Sequence, residues 1–179
     1  MSWWTNERKT YAARALMSGA GLSAMGAAGL VARWAYVEAS GGPSSVNPRS
    51  GAFGIAQWLG SRLPPIRGNT DFDAQLRYAS SELNGSEARA GNALRNAQSP
   101  AEAARGASMY ERAEGYNPST GTDNFTALTA GQVPGIVALL GGANSPANVA
   151  GVNSGEAPVN YTPLIVALVA LGAAYIALR

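Results

Sequence analysis

One carboxylate stands where an apolar helical stretch breaks into a loop rich in Gly, Pro and Ser. It is Glu38, within LVARWAYVEASGGPSSVNPRSGAFGIAQW from Leu30 to Trp58. Ala27, Leu30, Val31 and Trp34 recur at the spacing of one helical face. Glu38 follows Trp34 by four residues, so a regular helix extends that face to the acid. A carboxylate laid against an indole and aliphatic side chains is desolvated, which disfavours its charged form and raises its pKa. A proton held near neutral pH is what a general acid needs to protonate a glycosidic oxygen. A solvated glutamate at a helix end is the alternative these residues leave open.

Further candidates surround it. Gln57 has an amide that both donates and accepts, as sugar hydroxyls and N-acetyl groups require. Trp58 offers a flat apolar face to a pyranose ring, or else fills the core. Ser40, two residues after the acid, is placed to orient it or to cap the helix. Tyr110 and Tyr116 lie at and beyond the end of a later helix, with a cleft role or a structural one.

The elements that must position these residues are helical. Ser23 is a good N-cap for a helix running to Glu38, and Gly41, Gly42 and Pro43 stop it. SRLPPIRGNTD is a loop by its prolines and glycine. Asp71 to Leu83 reads as the next helix, with acids in the first turn where the macrodipole favours them. Ser86 to Ala97 reads as another. Ser99-Pro100-Ala101-Glu102 is a capping box with proline at the first helical position, opening a helix from Pro100 to about Arg112. Before the site, residues 1–20 carry Trp3 and Trp4 and an amphipathic helix expected to pack on the domain, with no cleaved signal peptide in the pattern.

The chain has 179 residues, enough for one domain with a core plus appendages. Net charge is +2, and Lys9 is the sole lysine among scattered arginines. That is no footprint for nucleic acid. There is no Cys and no His. Cys–His and Ser–His–Asp machinery are therefore excluded, as is any ordinary zinc site, and no metal or cofactor is expected. Cleavage of glycans by carboxylates survives this filter.

The string NPRSGAFGIAQW, with EAS upstream, resembles the phage tail lysozyme family, a branch of the lysozyme-like superfamily that includes lytic transglycosylases. In that family an acid in an E-S context ends a helix, and a segment of the form N-P-x-S-G-A-F-G-I-A-Q-W follows. Here the matches are Glu38 with Ser40, one residue later than usual, then Asn47, Pro48 and the run Ser50 to Trp58. FDAQLRYASSEL and MYERAEGYN also look like later helices of the family. The resemblance implies a mainly helical, lysozyme-like domain over 21–117 with a small β-like loop region. It also implies cleavage of peptidoglycan glycan strands with Glu38 as the catalytic acid. Tyr116 faintly resembles a late tyrosine of transglycosylases.

Two mechanisms remain open. A hydrolase needs a second carboxylate. No acid lies between Glu38 and Asp71, so Asp71, Asp73, Glu82 or Glu111 could approach only through the tertiary fold, with Asp71 and Asp73 the first to test. A lytic transglycosylase uses one residue as acid and then base, while the substrate's own hydroxyl attacks to give an anhydro-muramyl end; the resemblance carries that chemistry.

Beyond the domain, 118–140 reads as an extension and 141–160 as a flexible linker. Thr162 to Leu178 is an uncharged apolar run flanked by Tyr161 and Arg179. Its 17 residues reach roughly 25 Å against the ~20 residues usual for a span, so 161–179 is expected to be a C-terminal transmembrane helix. The whole reads as a membrane-anchored enzyme of a phage virion that opens the wall during genome entry. Its expected partners are peptidoglycan, a bilayer and other virion proteins. A bacterial wall-remodelling enzyme and a non-catalytic virion scaffold are the competing readings.

Overall fold

The computed structural model describes residues 2–38 and 42–142. The chain divides into two compact units, Met1–Ser145 and Pro146–Arg179. The described residues all fall in the first.

Six α-helices make up most of it: α1 (Asn6–Ala20), α2 (Ala24–Arg33), α3 (Phe72–Asn84), α4 (Ala88–Arg95), α5 (Pro100–Glu111) and α6 (Thr126–Gly142). Four of the starts have a side-chain cap. Thr5, Ser23, Asp71 and Ser99 place a side-chain oxygen on a free N–H in the first turn of α1, α2, α3 and α5. Glu102 reaches back to the Gln98 N–H at 2.8 Å, one residue before the position a standard capping box uses.

At the centre is α2, packed on α1, α4, α5 and α6. Its residues from Gly26 to Arg33 are all buried, so it has no solvent face of the kind amphipathic patterning assumes. Small residues make this possible. A Cβ on Gly26 would sit 1.9 Å from the Leu94 carbonyl oxygen, and one on Gly29 would sit 2.7 Å from the Ala103 Cβ. The backbones of α4 and α5 therefore touch α2 directly. Ser23 Oγ adds bonds to the Leu94 and Ala97 carbonyls at 3.0 and 3.1 Å.

The N-terminal tryptophans join the same core. Trp3 and Trp4 stand edge-on to Phe72, with centroids 4.9 and 5.8 Å away, tying the start of the chain to α3.

The β-like region amounts to isolated bridges, Val46 to Phe53 and Phe53 to Trp58, with a third at Asn117 to Thr122. The transmembrane helix expected over 161–179 is withdrawn from the fold class, because no helix among the described residues is long and apolar enough to cross a membrane. The 17 apolar residues behind that expectation fall short of the ~20 a span normally needs. That run, and the linker from residue 143 on, lie outside the described residues.

Candidate active site

The last turn of α2 is not α-helical. From Trp34 to Glu38 the chain widens into a π turn, a feature frequent at functional sites. The widening changes which side chains meet. In a regular helix, residues five apart point in different directions; in a wide turn they approach. Glu38 accordingly meets Arg33, whose Nε donates to Oε1 at 2.7 Å, and not the Trp34 indole that a regular helix places beneath it.

Arg33 is fully buried, and so is the Asp123 carboxylate that takes its other two nitrogens at 3.0 and 2.9 Å. Burial opposes the Arg33 charge, and the hydrogen bonds it donates to Asp123 and Glu38 more than offset it. Asp123 is itself fixed by the Phe125 N–H and the Thr126 hydroxyl at the start of α6. Despite its burial, the Arg33 guanidinium holds it below the usual carboxylate range. The Glu38 side chain, 16% exposed, is the solvent-facing end of this chain of charges.

A second carboxyl stands nearby. The Trp34 indole N–H donates to Glu111 Oε1 at 2.5 Å, so the neighbours Arg33 and Trp34 each hold one glutamate. Glu111 closes α5, at the negative end of its dipole. Burial pushes its pKa up to about 8, and the Glu38 charge pushes the same way.

The Gly51–Trp58 motif has a structural role. The Asn47 side chain accepts the Arg49 and Ser50 N–H groups, and Gly51 turns back with φ 74°. Phe53 and Trp58 exchange backbone bonds at 3.1 and 2.9 Å across a tight turn. Gly54, at φ 80°, leaves room for Gln75, whose Oε1 would lie 2.7 Å from a Cβ there. The buried Gln75 binds the loop from below, accepting the Ile55 N–H and donating to the Pro43 and Asn69 carbonyls.

The structure places Trp58 and Tyr110 in the core, the structural alternative that the sequence left open for each. They are 1% and 0% exposed, and both donate to Glu82, at 2.8 and 2.6 Å. Arg62 completes that group with bonds of 2.7 and 3.0 Å to the same carboxylate and a stack 4.3 Å over the Tyr110 ring. Burial disfavours the Glu82 charge, but Arg62, Tyr110 and Trp58 together hold its pKa below the ordinary value. The loop is thereby bolted to α3 and α5.

Gln57 is half-buried and holds φ 47°, unusual for a residue with a side chain. Its amide nitrogen is spent on the Gly54 and Ser45 carbonyls, at 2.8 and 3.4 Å. Tyr116, also half-buried, lines a separate recess of about 340 Å³ with Glu87, Arg89 and Arg112. Ser40 lies outside the described residues.

Asp71 and Asp73 are engaged elsewhere. Asp71 caps α3 through the Ala74 N–H. Asp73 accepts the Tyr11 hydroxyl at 2.7 Å, in a groove of about 410 Å³ between α1 and α3 whose lining does not include Glu38. The acid whose charge couples to Glu38 is Glu111.

Arg33 and Asp123 are what reading the sequence missed; Glu111 was legible only as one of several acids that the tertiary fold could bring to the site. Arg33 left a trace as the one charge in an otherwise apolar helical run. Glu111 left another, an acid at a helix C-terminus where the dipole disfavours it. Asp123 is 90 residues from Arg33 and left none. Among the described residues no group of three or more His, Cys or acidic side chains is placed to hold a metal. A family model described as phage tail lysozyme matches residues 7–127. No curated protein and no solved structure matches the chain.

Proposed function

The chain belongs to the phage tail lysozyme family, and from that premise we propose that it cuts the bond between MurNAc and GlcNAc as a lytic transglycosylase, with Glu38 as acid and then base. The family makes it a lysozyme-like glycosidase and peptidoglycan its substrate. The observation that carries the assignment to Glu38 is its place. It is the solvent-facing carboxylate at the end of a buried Arg33–Asp123 clamp, on a widened turn directly before the family's loop motif.

The chemistry balances within one residue. Glu38 gives its proton to the glycosidic oxygen as the bond to the muramyl carbon breaks. The resulting carboxylate then takes the proton of the substrate's own hydroxyl as that oxygen closes on the same carbon. The clamp keeps the carboxylate in one orientation for both steps. Glu111, with its proton held, is not an anion ready to serve as nucleophile in the resting enzyme. That supports the transglycosylase reading. Muramidase action remains the second reading, because Glu111 is nonetheless a second carboxyl at the site.

The family's source supports a virion-borne role, with the enzyme opening the wall locally during genome entry. Zymography on purified peptidoglycan, followed by mass spectrometry of the products, tests the proposal. Clearing by the wild type that falls ~100-fold or more in Glu38→Gln supports Glu38 as the acid. Anhydro-muramyl ends, one water lighter than hydrolysis products, identify the transglycosylase; reducing ends identify the muramidase. A well-folded wild type that clears nothing makes the domain a scaffold and removes the enzyme reading.

A further inference from the structure

Resting on the reading of Glu38 as the acid, we propose that Glu111 is its positioning partner, the two carboxyls forming a pair that carries one proton and so sets the pH range in which Glu38 acts. Three observations carry this. The two acids are held by adjacent residues of one rigid element, Glu38 on Arg33 Nε and Glu111 on Trp34 Nε1. Each is the last residue of its element, so both helix ends deliver negative potential to the same place. The two arginines that lower the proton affinity of Glu111 are already engaged by carboxylates, Arg33 by Asp123 and Glu38 and Arg62 by Glu82, and the adjacent Arg112 is engaged by Glu87.

The electrostatics of Glu111 involve groups on every side. Glu38 and Arg33 act on it from α2, Arg62 from the turn at Gly60–Arg62, and the buried Tyr110 lies next to it on α5. The sequence of α6 from Thr126 to Gly142 has no ionisable side chain. Burial and the Glu38 charge raise the proton affinity of Glu111, Arg62 and Arg33 lower it, and the rise prevails. Two carboxyls that repel in this way lose their protons in two steps that belong to the pair.

In the resting pair the proton sits on Glu111, whose affinity for it is raised by burial and by the Glu38 charge. Glu38 is partly exposed and Glu111 is not fully buried, so a proton passes between them through solvent. When Glu38 takes it, Glu111 becomes the anion. The acid step spends that proton on the glycosidic oxygen and the base step recovers one from the substrate hydroxyl. The pair ends the cycle as it began, with no outside donor.

The test uses the full chain as wild type, E111Q and E38Q. Glutamine keeps an oxygen for the Trp34 N–H and removes the titration. On purified peptidoglycan the alkaline limb of the wild-type rate is expected in the mildly alkaline range. In E111Q it should move down by about one pH unit or more, because Glu38 no longer has an anionic neighbour to keep it protonated. At pH 5 the E111Q rate should stay within about threefold of wild type, because there Glu38 no longer depends on that neighbour. Superimposable profiles overturn the proposal. An E111Q enzyme as inactive at pH 5 as E38Q also overturns it, since Glu111 would then be the proton donor itself.

A second readout does not use activity. Carbon-13 NMR of glutamate carboxyls should show one group titrating at about pH 8, absent from E111Q and moved to lower pH in E38Q. An unmoved titration in E38Q shows the two acids uncoupled and overturns the pair, while leaving Glu38 as the acid untouched. Full activity of E38Q would instead remove the reading of the site. Should E111Q fail to fold, the E38Q titration decides the matter alone.

Discussion

Arg33 carries a full charge into a place water does not reach, and Asp123 is the group that makes its burial tolerable. Replacing Asp123 by Asn leaves a buried guanidinium facing a neutral amide. Breaking a buried pair from one side costs about 3–5 kcal/mol. Denaturant midpoints should fall accordingly in Asp123→Asn, and wall-clearing should fall with them, because Glu38 loses the anchor of its clamp. A stability loss under about 1 kcal/mol would place the pair in far wetter surroundings than its burial indicates.

Glu111 makes the opposite contribution with pH. Its folded pKa, about 8, lies above the ordinary 4.5. The stability it lends is fully present below the ordinary value and is lost as pH rises to the folded one. Glu82 and Asp123 are shifted down. Their stability is present above the ordinary carboxylate values and is lost as pH falls through the folded ones. Melting temperature should therefore peak in mild acid and decline towards pH 8, and Glu111→Gln should flatten the alkaline decline. An unchanged alkaline slope in that variant would assign the decline to another group.

At the scale of elements, the loop between α2 and α3 is held by two polar bolts as well as by the burial of Phe53, Ile55, Leu63 and Ile66. Gln75 satisfies three backbone groups under Pro43, Ile55 and Asn69, and Glu82 gathers Trp58, Arg62 and Tyr110. Glu82→Gln is the informative change. It removes the charge that Arg62 needs and puts an NH2 among donors, leaving polar groups unpaired. Each unpaired buried group costs about 1–3 kcal/mol. The melting temperature should drop clearly and the Trp58 fluorescence should change, while an adjacent exposed change such as Ser81→Ala should do neither. A silent Glu82→Gln would mean that packing alone holds the loop.

At the scale of the whole molecule, the family match over 7–127 and the compact unit Met1–Ser145 enclose the same site. A chain ending at Ser145 should melt cooperatively and clear peptidoglycan at a rate within about threefold of the full chain, since that unit holds the whole of the family match and the site. Loss of folding in that truncation would show that residues beyond Ser145 complete the domain.

The sequence by itself determined what local chemistry can specify. Helix starts were legible because Ser23, Asp71 and Ser99 cap through groups three residues away. The absence of His and Cys left carboxylate chemistry, and the Gly51–Trp58 string carried the family. Glu38 was legible as a place in the chain, but its surroundings were not. The widened turn after Arg33 exchanged an indole neighbour for a guanidinium, and periodicity read at the α-helical spacing does not register such a change. For Trp58 and Tyr110 the sequence left a sugar-facing role and a core role open, and their bonds to Glu82, 24 and 28 residues away, hold both in the core. Glu111 and Asp123 reach the site only because the Gly26 and Gly29 contacts let α4 and α5 close on α2, and because α6 packs back on it. Pairings across such distances are decided by packing and by the need to neutralise buried charge. Both act through space, and spacing along the chain does not encode them.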